Sequence, residues 1–275
     1  MRHDDKKMTT PAYRTKKHLG QHFLADKSVI DRIIAVIAPR EGQSFLEIGP
    51  GMGALTRALL PLVKVMDVVE IDGDVLRGLQ QACEGLGHLH IHHQDALTFD
   101  FSQLAHQGPW RVVGNLPYNI SSPLLFHLMS FLPQIQDMHF MLQKEVVLRM
   151  SARAGDSAYG RLSVMLQYHC KIEALLSVPP TAFRPPPKVD SAVVRLLPYR
   201  QLPAVATDYA CFEGLVKLAF NQRRKTLKNT LKTLCVPEDF SAAEIDSQQR
   251  AETLTAGEFV RLSNIVGQRL LCSGK

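Results

Sequence analysis

The sequence predicts an α/β fold, with a Rossmann-like domain over residues 17–200 and a small all-helical domain over residues 201–275. Short apolar runs typical of strands alternate with helical stretches along the first domain, which indicates a sheet covered by helices. The buried-strand pattern Phe45–Ile48 runs directly into a glycine-rich turn, as the first strand of a nucleotide-binding sheet does. Beyond the linker Gln201-Leu202-Pro203 the apolar period is helical, and no second glycine-rich motif occurs.

Composition indicates a globular chain that favours an anionic partner. With 275 residues and 45% hydrophobic content, the chain can bury a core. No run approaches the about 20 apolar residues of a spanning helix, and Met1–Lys7 has no apolar signal core, so we expect a cytoplasmic protein without membrane contact. Residues 1–16 are polar and basic and are expected to be a flexible tail. A net charge of +6 and a pI of about 9.1 favour a polyanion as partner.

Neither cysteines nor histidines predict a metal site. The five cysteines show no close pairing, so we expect reduced thiols and neither a zinc knuckle nor a disulfide framework. The cluster His88, His90, His92 and His93 resembles a metal site, but its alternation with apolar residues places three of the four on the outer face of a strand. The acid and Cys spacing of zinc sites is missing, which favours a solvated strand.

The glycine turn Gly49-Pro50-Gly51-Met52-Gly53 predicts a nucleotide-cofactor loop. Gly49 and Gly51 let the backbone approach a ligand, and the helix predicted over 54–60 offers free N–H groups at its start. The next strand, predicted over 63–71, carries Glu70 about 20 residues beyond the turn, where an acid meets ribose hydroxyls. With Ala54 in last place the turn also satisfies the dinucleotide pattern, so this segment alone leaves NAD and S-adenosylmethionine open.

Two further positions favour S-adenosylmethionine. Asp95 follows a third strand, Leu89–His92, and can accept a hydrogen bond from the amino group of a cofactor adenine, although a turn cap is the alternative. Asn115 ends the apolar run Val112-Val113-Gly114. The carboxyl ends of successive strands in an open α/β sheet bind ligands. We therefore expect four such positions to converge on one site: Gly49, Glu70, Asp95 and Asn115.

The run Asn115-Leu116-Pro117-Tyr118 suits the methylation of a planar amine. The lone pair of an exocyclic adenine nitrogen is delocalised into the ring, and acceptors that hold its hydrogens out of plane restore it. Asn115 Oδ1 and the Leu116 carbonyl can be those acceptors, Pro117 restricts the backbone, and Tyr118 offers a face for a flipped base. The alternative is a strand end with a proline turn and a packing tyrosine.

Seven motifs together resemble the small-subunit ribosomal RNA adenine dimethyltransferases, the kasugamycin-sensitivity family, over nearly the whole chain. They are Gly20–Leu24, Leu46–Gly51, Val69–Asp72, Gly114–Ser122, Met141–Val146, Phe183–Val193 and Phe220–Thr226. The resemblance implies that Asn115, Leu116 and Tyr118 surround the target adenine. It also implies cofactor contacts at His22, Leu24, Gly49, Gly51, Glu70, Asp95 and Asn115. His22 departs from the family, which usually has Asn there.

The resemblance gives a role to the loop that begins at Phe183. Three prolines, Pro185, Pro186 and Pro187, stiffen it before the next strand. In the family this phenylalanine lies at the active site, so an aromatic ring held opposite Tyr118 is expected to complete a clamp for an extruded base. Without the strand that follows, three consecutive prolines would more often be a linker.

The helical domain carries a basic pattern. In a helix predicted over 220–234, Arg224, Lys228 and Lys232 recur at i, i+4 and i+8, and Arg223 and Lys225 enlarge the patch. A solvated helix face is the alternative, but no acid lies between positions 214 and 237. We therefore predict rRNA phosphate contacts at Arg223, Arg224, Lys225 and Lys228.

The resemblance implies transfer of methyl groups from S-adenosylmethionine to N6 of two adjacent adenines in the terminal hairpin loop of small-subunit rRNA. The substrate would be a partly assembled subunit and the enzyme a monomer. Four alternatives stay open: a macrolide-resistance relative acting on large-subunit rRNA, a DNA adenine methyltransferase, a non-enzymatic assembly factor and, more distantly, a NAD oxidoreductase.

Overall fold

A computed structural model describes residues 22–104 and 109–273. The strands are β1 (Phe23–Leu24), β2 (Phe45–Ile48), β3 (Val65–Glu70), β4 (His88–His93), β5 (Trp110–Asn115), β6 (Ile135–Gln143), β7 (Cys170–Val178), β8 (Phe183–Arg184) and β9 (Ser191–Pro198). The helices are α1 (Lys27–Ile37), α2 (Thr56–Val63), α3 (Gly73–Ala82), α4 (Ser121–Met129), α5 (Lys144–Ser151), α6 (Arg161–His169), α7 (Tyr209–Phe220), α8 (Leu227–Thr230), α9 (Pro237–Ala242) and α10 (Ala256–Ser273). The tail predicted over residues 1–16 lies outside the described ranges.

Seven strands form the main sheet, in the order β4-β3-β2-β5-β6-β9-β7. The pairs from β4 to β6 are parallel, whereas β9 runs antiparallel to both β6 and β7. The parallel strands therefore end at one edge, and the Rossmann-like prediction is confirmed. The helix predicted over 54–60 begins slightly later, at Thr56.

Helices cover the two faces of the sheet, which explains why the central strands are apolar without alternation. All four residues of β2 are buried. One core cluster joins the sheet to α4 and α5, and another joins it to α1 and α2. A separate strand pair, β1 with β8, places Phe23 opposite Arg184 and Leu24 opposite Phe183. This short pair connects the beginning of the described chain to the proline loop.

The C-terminal helices share their core with the first domain. Tyr159 and Tyr168 lie in the same buried cluster as Phe212, Leu215 and Phe259. The predicted division at residue 200 is therefore not a break in packing, since the segment around α6 packs directly on α7 and α10. Whether residues 201–275 fold as a unit of their own stays a prediction.

The continuous helix predicted over 220–234 is wrong. Helix α7 ends at Phe220, residues 221–224 form a turn, and α8 is only Leu227–Thr230. The reason lies in the backbone: the Leu227 amide donates to the Gln249 carbonyl at 2.8 Å and the Lys228 amide to the Ser247 carbonyl at 2.9 Å. Because carbonyls of another segment accept these two amides, the amides cannot form the bonds of a helix that continues from α7. The helix therefore stops, although the apolar residues keep a helical spacing.

Within the two described ranges, no helix combines the length and the apolar character that a membrane span needs.

Candidate active site

An open cavity lies at the carboxyl edge of the parallel strands. It brings together the ends of β2, β3 and β5, the turn after β4, and the segment at β1. Nine residues predicted for the site line it, namely His22, Leu24, Gly49, Gly51, Glu70, Asp95, Asn115, Leu116 and Tyr118. The structure thus places them around one space, as the sheet topology requires, while their individual roles stay predictions.

The glycine turn forms one wall of the cavity. Gly49 and Gly51 have φ angles of 67° and 52°, a conformation that side-chain-bearing residues rarely adopt. A Cβ atom on Gly51 would lie 2.8 Å from the Phe23 ring, so the turn and the β1 segment can approach closely only with glycine there. Helix α2 follows this turn, but two of its first amides are already paired and not free as predicted: Arg57 donates to the Gly53 carbonyl and Ala58 to the Leu55 carbonyl, each at 3.0 Å.

Glu70 holds the glycine turn in place. Its carboxylate accepts the Gly51 amide at 3.1 Å and the Asp72 amide at 2.9 Å. Burial raises the pKa of Glu70, while these two hydrogen bonds act in the opposite direction. Each carboxylate oxygen has a second lone pair, so the group can still accept ribose hydroxyls.

Glu47 also lines the cavity and was missed by the sequence reasoning. It lies on β2 and is 2% exposed, and Thr56 Oγ1 donates to its Oε2 at 2.6 Å. Burial raises the pKa of Glu47 to about 7, and the nearby Glu70 adds to the shift. An acid inside a strand that reads as continuously apolar was the available signal, because a buried carboxyl needs a functional or structural reason.

Asp95 caps the turn after β4 and also lines the cavity. Its Oδ1 accepts the Leu97 amide at 2.9 Å, which is the turn cap considered as the alternative. It lines the cavity as well. The two interpretations are therefore compatible, because one carboxylate oxygen can cap the turn while the other accepts from a ligand.

Asn115 is oriented by the segment before β1. Its Nδ2 donates to the His22 carbonyl at 2.9 Å, and no group within the described ranges donates to its Oδ1. The Leu116 amide donates to the Met141 carbonyl at 3.1 Å. In the described part of the chain, no backbone amide donates to the Leu116 carbonyl either. Two acceptors at the cavity wall are therefore available to an amine.

Tyr118 and His22 form an aromatic pair at this end of the cavity. Their ring centroids lie 6.0 Å apart and the ring planes differ by 28°. The Tyr118 hydroxyl is bonded to Ser191 Oγ at 2.9 Å, and burial raises the pKa of Tyr118. The tyrosine is therefore neutral at ordinary pH and offers a half-buried ring to the cavity.

Phe183 is not placed where the sequence analysis expected it. Its ring is 1% exposed and belongs to the core cluster with Leu24 and Met141, and it is absent from the cavity wall. The pairing of β8 with β1 puts it opposite Leu24 and directs it into the core. A clamp with Tyr118 would require this ring to leave the core.

The predicted RNA-contacting residues do not share one helix face, because they lie on a turn and on the short helix α8. We call residues 223–228 the basic segment; Arg223, Arg224, Lys225 and Lys228 are all exposed there. Arg223 donates to the Ser157 carbonyl and pairs with Glu252 at 3.5 Å. An acid distant in sequence thus partly neutralises the segment, which the count of acids between 214 and 237 could not reveal.

The histidines of β4 divide between two environments. His88 and His90 are exposed with their rings 5.1 Å apart, as expected of a solvated edge strand. His92 is instead half-buried, with Nε2 2.8 Å from Asp67 Oδ1 and its ring against Phe99. Among the residues described, no group of three or more potential ligands is arranged to hold a metal ion.

The arrangement as a whole suits a nucleotide-like cofactor beside a planar amine. The cavity-lining carboxyls of Glu70 and Asp95 fit a ligand with ribose hydroxyls and an amino group. The acceptors of Asn115 and Leu116 lie at the adjoining end. One cavity can therefore hold a cofactor and a target amine side by side.

The sheet order and the position of the cavity define the class of protein: this is the fold of Rossmann-like methyltransferases. A dimethyladenosine transferase from Plasmodium falciparum superimposes with a TM-score of 0.76 at 30% identity, covering 88% of this chain and 96% of that one. The 23S rRNA methyltransferase ErmE gives a TM-score of 0.70 at 26% identity, covering 90% of this chain and all of that one (100%).

The chain belongs to the ribosomal RNA adenine dimethylase family, whose sequence profile matches residues 12–268. Ribosomal RNA small subunit methyltransferase A of Xanthomonas axonopodis pv. citri is 52% identical over 250 residues, covering 91% of this chain and 95% of the relative. The protein of the same name from Chromohalobacter salexigens is 51% identical over 263 residues, covering 94% and 93%. The resemblance seen in the motifs is therefore confirmed.

Proposed function

We propose that this protein transfers methyl groups from S-adenosylmethionine to N6 of two adjacent adenines in the 3′-terminal hairpin loop of small-subunit rRNA, giving N6,N6-dimethyladenines. The observation that carries the proposal is the meeting, in one cavity, of the glycine turn and Glu70 with the acceptors of Asn115 and Leu116. Relatives of about half identity that are named small-subunit rRNA methyltransferases support the choice of substrate.

The cofactor end is assigned to the residues nearest the glycine turn. Glu70 would accept the ribose hydroxyls and Asp95 the adenine amino group, while Gly49 and Gly51 admit the cofactor closely. The predicted contacts at His22 and Leu24 come from the segment that Asn115 anchors. When bound, S-adenosylmethionine supplies a methyl group on a positively charged sulfur for direct in-line transfer.

The residues of the target end orient the amine and exclude water. Asn115 Oδ1 and the Leu116 carbonyl accept the two N6 hydrogens and hold them out of the ring plane, so the nitrogen lone pair points towards the methyl donor. Tyr118 stacks on the extruded base. The proton leaves N6 after attack, when the nitrogen is strongly acidic, so an amide at position 115 suffices and no general base is needed. Positioning and desolvation supply most of the acceleration.

The remaining parts of the proposal concern the setting. The enzyme acts in the cytoplasm as a monomer, without a metal ion, on a partly assembled small subunit during its biogenesis. The exposed cations of the basic segment support RNA as the partner, because phosphate contacts supply most of the affinity for nucleic acid. The motifs that resemble the kasugamycin-sensitivity family favour the same physiological role for this protein.

Transfer of tritium from labelled cofactor to unmethylated small subunits tests the proposal, with Asn115→Ala as the informative variant. We expect this variant to bind cofactor and subunits yet to methylate about 100-fold more slowly or worse, because the lost acceptor matters most as N6 becomes pyramidal. Cofactor affinity measured by calorimetry is the control for folding.

The same assay separates the alternatives. Incorporation into large-subunit RNA or DNA instead would indicate a macrolide-resistance relative or a DNA methyltransferase. Tight subunit binding without incorporation by the parent protein would indicate an assembly factor. Turnover of Asn115→Ala near the parent rate would mean that residues 115–118 are structural. Mass spectrometry of rRNA from a deletion strain would locate the modified adenines.

A further inference from the structure

The His22 side chain ties two parts of the target end together. Its Nδ1 lies 2.9 Å from the Pro185 carbonyl oxygen, and its ring lies beside that of Tyr118. A carbonyl oxygen only accepts, so Nδ1 carries the hydrogen and donates it. The imidazole thus connects the segment that precedes β1 to the proline loop after β8.

The proline loop forms few hydrogen bonds. Pro185, Pro186 and Pro187 lack backbone N–H groups, so their carbonyls alone can form backbone hydrogen bonds. Within the described ranges, the bond from His22 to Pro185 is the one hydrogen bond that these three residues form. Further along, the Asp190 carbonyl accepts the Lys144 amide at 2.9 Å. Pro187 is buried, so packing holds the middle of the loop, and the bond from His22 attaches the exposed Pro185 at its start.

Both ends of the loop are attached to the aromatic pair. His22 bonds to Pro185 at the start, and the Tyr118 hydroxyl bonds to Ser191 Oγ at 2.9 Å at the end. His22 also accepts the Asn115 amide through its own carbonyl at 2.9 Å. The position of the loop, the face of Tyr118 and the orientation of Asn115 are therefore coupled through one residue.

We propose that His22 is a positioning residue for methyl transfer: its Nδ1–H holds the proline loop at Pro185 and so keeps Tyr118 and Asn115 in the geometry that the target base needs. The inference rests on the proposed function, since it assigns the target base to this end of the cavity. It differs from the cofactor contact predicted for His22, because the donating nitrogen is engaged by Pro185 rather than directed to a ligand.

Two substitutions separate the donor from the ring. His22→Asn keeps a donor at a position close to that of Nδ1 and removes the ring, whereas His22→Phe keeps a ring and removes the donor. We expect His22→Phe to lower kcat on unmethylated subunits by about tenfold, as the loss of one ordinary hydrogen bond allows. His22→Asn should be several times faster than His22→Phe, with the KM for cofactor within about twofold in both.

Hydrogen exchange measures the attachment itself. We expect the amides of Phe183 and Arg184, in the paired strand β8 at the start of the loop, to exchange about tenfold faster in His22→Phe than in the parent, with His22→Asn between the two. His127 supplies a matched control, because its Nε2 makes the same kind of bond, to the Phe99 carbonyl at 2.9 Å, outside the cavity. His127→Phe should leave both kcat and the exchange of the loop near the parent values.

The outcomes are distinct. Unchanged loop exchange in His22→Phe would overturn the inference whatever the activity, and so would equal kcat values for His22→Phe and His22→Asn. A rise in the KM for cofactor with kcat unchanged would assign the ring to the cofactor instead. If the parent protein does not methylate subunits, the proposed function fails, while the exchange experiment still decides whether His22 holds the loop.

Discussion

The cofactor end of the cavity carries buried acidic side chains, whereas the basic segment carries exposed basic ones. Glu47 and Glu70 are 2% and 7% exposed and are bonded to groups of the fold. Arg224, Lys225 and Lys228 are exposed on a turn and a short helix. Interactions of buried charges are strong and little screened, whereas those of exposed charges depend on salt. The two regions should therefore respond to different variables, pH for the first and ionic strength for the second.

Glu47 gives the buried region its largest expected response to pH. Its pKa of about 7 lies above the 4.5 of an unperturbed glutamate, so between these values the folded protein holds a proton that the unfolded chain has lost. The contribution of Glu47 to the free energy of unfolding is fully present below pH 4.5 and is lost as the pH rises to about 7. Relative to Glu47→Gln, the free energy of unfolding of the parent should fall by roughly 2 to 3 kcal/mol across this window.

Denaturant unfolding of both proteins at several pH values measures this difference. The comparison also removes the opposing contribution of His139, because that residue is common to both proteins. Burial lowers the pKa of His139 to about 4. For that group the folded pKa is depressed, so its contribution to stability grows as the pH rises. Parallel pH profiles for the parent and Glu47→Gln would show that Glu47 titrates as an ordinary carboxyl and would weaken the contrast between the two regions.

Glu70 tests the same region through ligand affinity. Glu70→Ala should weaken binding of S-adenosylmethionine by about 1.5 to 3 kcal/mol, the range for hydrogen bonds to a charged group. Because the carboxylate also holds the amides of Gly51 and Asp72, part of this loss would come from the glycine turn. Glu70→Gln keeps the size and one acceptor, so it should lose less than the alanine variant.

Calorimetry on the folded variants measures these affinities, with exposed Glu84→Ala as the control. NAD should show no detectable binding to the parent. An unchanged affinity in a folded Glu70→Ala protein would remove Glu70 from the cofactor site and make its contact with the glycine turn its only role.

The two regions also show what a sequence can predict. The positions of Gly49, Glu70 and Asn115 at one cavity follow from parallel strands, whose carboxyl ends share an edge wherever the exact boundaries fall. The basic segment depended on an uninterrupted helix, which backbone bonds to Ser247 and Gln249 prevent. Neither of those partners could be identified from local periodicity.

Pairing between distant segments also decides where the Phe183 ring lies, while its role stays a prediction. Phe183 was expected at the cavity because a proline loop seemed to present it, but the two-residue pairing of β8 with β1 directs its ring into the core. Such short pairings leave no periodic pattern in a sequence. The role of His22 is hidden for the same reason, since its partner Pro185 lies 163 residues away.

The basic segment gives the smallest expected effect, a change in salt dependence. Reversing the charges of Arg224, Lys225 and Lys228 should weaken binding to small subunits and leave cofactor affinity intact. Each lost phosphate contact should reduce the slope of log affinity against log salt by roughly 0.7 to 0.9, so three contacts would change it by about two units. Arg223 is best left unchanged, because its pairing with Glu252 and the Ser157 carbonyl would confound the result.

Filter binding at several salt concentrations measures the slope. A matched control reverses three exposed arginines elsewhere, Arg32, Arg40 and Arg77, which gives the same change in net charge. A contact at the basic segment predicts that the slope falls in the first variant and stays nearer the parent value in the control. Equal slopes in the two variants would mean that net charge alone acts and that the segment is a solvated surface. The rRNA contact would then have to be sought among the basic residues before His22, in the part of the chain outside the described ranges.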